Sequence, residues 1–78
     1  MISPTTARHV LHHFGRAGGT EPGTFTASLI AAIAAADHTN FARLATLYPE
    51  LATAIEVAKH DRDGITKLQM ISVGREAA

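Results

Sequence analysis

Cysteine and tryptophan are absent from this 78-residue chain, and tyrosine occurs once. Without cysteine there is no disulfide staple, no thiolate metal site and no thiol nucleophile. An excess of either charge sign is also missing. Seven Lys and Arg balance seven Asp and Glu, so no whole-molecule field draws the chain to nucleic acid or to an anionic membrane. No apolar run approaches the ~20 residues of a membrane span; the longest, Leu29 to Ala36, is short and mostly alanine. The opening stretch MISPTTARHVLHHFGR lacks the basic start and apolar region of a signal peptide, which sets the expectation of a cytoplasmic protein.

Alanine and helix-start signals fill the space that these absences leave. In TFTASLIAAIAAAD, Thr24 to Asp37, the first charge comes at the last residue, and Phe25, Leu29 and Ile33 follow one another at intervals of four. A helix apolar on all sides has to be covered on several sides, so this stretch is expected to be the central, most buried element, capped by Thr24. Around it the pattern predicts an all-α fold, a compact bundle of four to five short helices in a single domain over 1–78. Ser3 and Pro4 open a helix to Phe14, with Ala7, Val10, Leu11 and Phe14 inward and Gly15 as a left-handed stop. Gly15 to Gly23 holds four glycines and a proline and reads as a loop; it lacks the GxxxxGK[ST] pattern that cradles phosphate.

Asp37 caps a third helix, His38 to Leu47, with Phe41, Leu44, Ala45 and Tyr48 on one stripe. Tyr48 before Pro49 breaks it, and Pro49 opens a fourth, to Lys59, burying Leu51, Ala54, Ile55 and Ala58 while Val57 lies off the stripe. Asp63 is placed to cap a short fifth from Gly64 to Ile71. The alternation of Leu68, Met70 and Ser72 would also suit a strand over 65–73, but a lone strand has no partner in a helical chain. A frayed tail is expected over 74–78.

The middle of the chain, GGTEPGTFTASLIAAIAAADHTNFARLATLYPELATAIEVAKHDRDGITKL, has a GG-EPG-FT entry, an AD--N helix start, a YP break and a DGI--L ending. In these it resembles small helical proteins of actinobacteria and their phages. The resemblance covers about two thirds of the chain and rests on loop and cap residues. It implies a small helical fold in a phage or phage-like setting, and brings no activity, catalytic residue or cofactor with it.

Functional residues are sparse. His9 and His13 stand one turn apart, with His12 nearby, a pair able to chelate a divalent metal if Asp37, His38, His60 or Asp61 supplied a third ligand; the plain alternative is a solvated, histidine-rich helix face. A degenerate helix-turn-helix over helices near 38–47 and 49–59 would make a small DNA-binding regulator. Against it, Pro49 stands where a turn glycine is usual, and Glu50, Thr53 and Glu56 would face phosphates, leaving Arg8, Arg16 and Arg43 as the only basic patch. Ser3, Ser28 and Ser72 sit in no nucleophile motif, so no enzyme, cofactor or small-molecule substrate is expected. What remains is a non-catalytic module that binds a protein partner or a copy of itself, with Ile30, Val57, Arg8 and Arg16 as its candidate contact residues.

Overall fold

The computed structural model describes residues 1–75 and contains five helices: α1 Pro4–His13, α2 Thr24–Ala35, α3 His38–Leu47, α4 Pro49–His60 and α5 Gly64–Ser72. Among the described residues there is no strand, and 65–72 is helical throughout. Ser3 caps α1 by accepting the Thr6 N–H at 3.1 Å, and Asp37 caps α3 by accepting the Asn40 N–H at 2.8 Å. Two other expected caps are not formed. Gly23, not Thr24, is the residue before α2, and the Asp63 side chain makes no capping bond to α5. At the α4–α5 corner Asp61 fixes the turn before α5, accepting the Asp63 N–H at 2.9 Å and the Lys67 ammonium at 2.7 Å. The Lys67 ammonium, then the Asp63 N–H, holds the Asp61 carboxyl below its ordinary pKa.

Helices α1 and α5 end in the same way. Gly15 and Gly74 take positive φ, and the next residues, Arg16 and Arg75, donate back to Leu11 O and Met70 O at 3.0 and 2.9 Å. These paired bonds satisfy helix-end carbonyls in a Schellman arrangement. Gly74 and Arg75 are thus held onto α5; the rest of the expected frayed tail, 76–78, lies outside the described residues.

The helix at the centre of the bundle is α4, not α2. It packs on each of the other four, whereas α2 meets only α1, α3 and α4. Ala7, Val10 and Leu11 of α1, Ile30 and Ile33 of α2, Ala52, Ala54 and Ile55 of α4 and Leu68 of α5 form one buried core. Two physical reasons displace α2 from the centre. An alanine presents a single methyl, so leaving Ala27, Ala31, Ala32 and Ala35 in water forfeits little apolar burial. Residues spaced by four also overshoot a full turn by about 40° each time. Ile33 lies on the core face, Leu29 is half-buried, and Phe25 has rotated out to 69 % exposure.

The loop between α1 and α2 is ordered by close contact. Thr20 N–H donates to Arg8 O at 3.2 Å, laying the chain back along α1. A β-carbon on Gly19 would lie 2.4 Å from the His12 backbone nitrogen, so only glycine fits there.

Candidate interaction surface

Helix α2 has one inward stripe and a broad outer face. Ile30 and Ile33 are buried; Thr24, Phe25, Ala27, Ser28, Ala31, Ala32 and Ala35 are exposed, and none of them can ionise. At its N-terminal end this face runs into a groove of about 570 Å³ between α1, the start of α2 and the α3–α4 junction. Phe25, Leu29, Tyr48 and Leu51 supply its apolar lining, and Thr6, His9 and Glu50 a polar border. Leu47, one residue before Tyr48 in sequence, is 71 % exposed, because α3 touches only α2 and α4 and buries no residue completely. Phe25 and Tyr48, exposed at one groove over half-buried Leu29 and Leu51 and next to a face without charge, form apolar surface of the kind that marks interaction sites.

Glu50 is fixed at the groove's edge. Its Oε2 accepts the Ser3 N–H at 2.7 Å. That bond, opposed by partial desolvation and aided by the Ser3 and Thr6 hydroxyls, holds its carboxyl below the usual carboxylate range. The border is thus anionic at neutral pH and its carboxylate is already engaged.

The residues singled out in the sequence are scattered. Ile30 is fully enclosed in the core, so it has no surface to offer a partner. Val57 is half-buried and its carbonyl accepts the Asp61 N–H. Arg8 is half-buried and donates through Nε to Ser72 O at 3.1 Å, tying α1 to the end of α5. Arg16 is exposed, beside Arg62, Asp61 and Asp63 in a polar cleft remote from α2.

His9 lines the Phe25 groove, and the His13 ring stands edge-on to Phe14 with centroids 4.8 Å apart. The partners a metal would need lie elsewhere. His38 and His60 line a separate cleft of about 390 Å³ between α2, α3 and α4, and Asp61 bonds Lys67. Among the described residues no three His, Asp or Glu side chains come together as a metal site.

Phe25, Leu47 and Tyr48 are the surface features that sequence reasoning missed. The angular drift of a four-residue repeat would have exposed Phe25, and Leu47 falls off the Phe41, Leu44, Ala45 and Tyr48 stripe, which is the signal of its exposure. No helix among the described residues is long and apolar enough to cross a membrane. No known protein family matches the chain, and neither curated proteins nor solved structures yield a significant match.

Proposed function

We propose that this chain is a non-catalytic interaction module whose working surface is the Phe25 groove together with the outer face of α2. The observation that carries the reading is Phe25 itself, 69 % exposed beside Leu29, Tyr48 and Leu51. Aromatic side chains, phenylalanine included, are enriched at protein interfaces relative to the rest of a protein surface. A phage or prophage setting and a cytoplasmic site of action, suggested by the resemblance and the N-terminal composition, belong to the same proposal.

The DNA-binding alternative has weaker support. A recognition helix must stand free to enter a groove, whereas α4 is packed on all four other helices and exposes Glu56 alongside Thr53, Lys59 and His60.

The test is affinity capture from the host with the wild-type chain and with Phe25→Glu. A protein, or the chain itself, should be held by the first and lost by the second while the helical spectrum is unchanged. Retention of DNA at physiological salt with a steep salt dependence, and no protein captured, would overturn the reading.

A further inference from the structure

Between α2, α3 and α4 lies a cleft that shares no residue with the Phe25 groove. Its floor is apolar: Ile33 and Ile55 are buried, and Phe41 and Ala45 half-buried. Its rim carries four exposed polar side chains, His38 at the start of α3 and Glu56, Lys59 and His60 in the second half of α4. We propose that this cleft binds a small organic acid, a carboxylate carried on an aromatic ring or a short alkyl chain, with Lys59 as its cationic partner. Such a site uses none of the interaction surface and stands or falls without it.

Size selects a small molecule. The cleft holds about 390 Å³, within the roughly 300–1,000 Å³ of ligand sites. Its lining runs over 38–45 of α3 and 55–60 of α4, about 8–11 Å of helix. That length seats a ring or a chain of a few carbons, and is too short for a docked helix of three turns, about 16 Å. An apolar floor under a few convergent polar groups buries the body of a ligand and orients it by its polar end.

Charge selects an acid. Three of the four polar lining side chains carry nitrogen donors, against one carboxylate. The Lys59 ammonium is fixed by its bond to Ala34 O at 2.8 Å, which uses one of its three protons. It forms no ion pair: among the described residues the salt bridge is that of Lys67 with Asp61. Glu56 lies three residues back on the same helix without reaching it, and Asp37, next to His38 in sequence, caps α3 outside the lining. A carboxylate lying over Phe41 therefore meets a held ammonium with two free donors and, on the same rim, the rings of His38 and His60. An amine would meet the same ammonium with only Glu56 in compensation.

Phenylacetate, a ring, one methylene and an acid, is the probe, and a ligand of its size is expected to bind with a Kd of about 1–10 mM. Titrated into the isotope-labelled full chain, it should give saturable amide shifts confined to 33–45 and 55–60, the stretches that line the cleft. Lys59→Gln should weaken binding about three- to five-fold, the worth of one exposed ion pair, and Lys59→Arg should restore it. Ala42→Leu adds bulk at an exposed lining position and should abolish binding with the helical spectrum unchanged. Phenethylamine, a similar body with a cation, and acetate, the acid without a body, should leave those amides unmoved at the same concentration. Equal shifts from phenethylamine would show a site for the apolar body alone, and equal shifts from acetate a surface cation alone. Either overturns the proposal, as does phenylacetate binding that survives Ala42→Leu or shows no saturation by about 50 mM.

Discussion

Glu50, in the first turn of α4, accepts the backbone N–H of Ser3 at 2.7 Å, and Ser3 is the residue that caps α1. One carboxylate thereby joins the start of the chain to its central helix, 47 positions away. The bond favours the ionised form, so the folded-state pKa lies below the unfolded one. The sign follows from linkage: the contribution is complete above the unfolded value, near pH 4.3, and is lost as pH falls through the lower folded value. Glu50→Gln should cost about 1 kcal/mol at pH 7 and should flatten the fall of melting temperature between about pH 5 and 3. Asp61, lowered by Lys67, titrates in the same direction and leaves a remainder. A melting temperature with the wild-type acid dependence in Glu50→Gln would show that the Ser3 bond is not made.

Glycine substitutions separate close packing from loop freedom. A β-carbon on Gly64 would lie 1.7 Å from Val57 O, where the first turn of α5 rests on α4. On Gly19 it would meet the backbone of His12 at 2.4 Å. In both cases the obstacle is backbone and cannot swing aside, so Gly64→Ala and Gly19→Ala should each destabilise by about 2 kcal/mol or more. Gly23 has open space and no positive φ but is the N-cap of α2, where alanine is less favourable than glycine, so Gly23→Ala should cost about 0.5–1 kcal/mol, less than either of the others. Urea denaturation of the three variants checks the order.

Helix positions were legible because their signals are local. Ser3-Pro4, Asp37, Pro49 and Gly15 each act on backbone within one turn, and the observed boundaries fall within a residue or two of those they imply. Burial was less legible, because it depends on where other helices lie. Alanine left α2 looking like a centre when it is a flank, and Ala52, only 2 % exposed on α4, carried no signal that it faces a neighbour. Glu50 sits in the first turn of α4, where an anion already suits that helix's dipole, so its bond to Ser3 is a tertiary contact invisible to any pattern within α4. The candidate surface failed for the same reason: Ile30 and Phe25 are both apolar members of one helix, and which of them is covered depends on the side from which α1, α3 and α4 pack.

Helix α2 ends without a basic residue in its last turn. Lys59 of α4 supplies one from outside, donating through Nζ to Ala34 O at 2.8 Å. A cation at free helix-end carbonyls is worth about 0.3–1 kcal/mol at an exposed site. Lys59→Met, which keeps the aliphatic stem, should lower stability by that amount at low salt, and the deficit should shrink in about 1 M salt. A deficit independent of salt would assign the effect to packing of the stem.

The sharpest test of how α2 sits compares two of its apolar residues with the same change. Ile33 is 2 % exposed and Phe25 is 69 % exposed, though both belong to the four-residue repeat that makes them look equivalent in the sequence. A carboxylate forced into the core without a partner costs several kcal/mol, comparable with the whole stability of a domain this small. Ile33→Asp should therefore lose cooperative melting and much of its helical signal. Phe25→Asp places its charge in water, in the first turn of a helix where the dipole favours an anion. It should melt within a few degrees of the parent, with a shift of about 0.5 kcal/mol or less measured at low concentration. Equal damage from the two variants would mean that Phe25 is covered within the monomer, and would remove the anchor from the proposed surface.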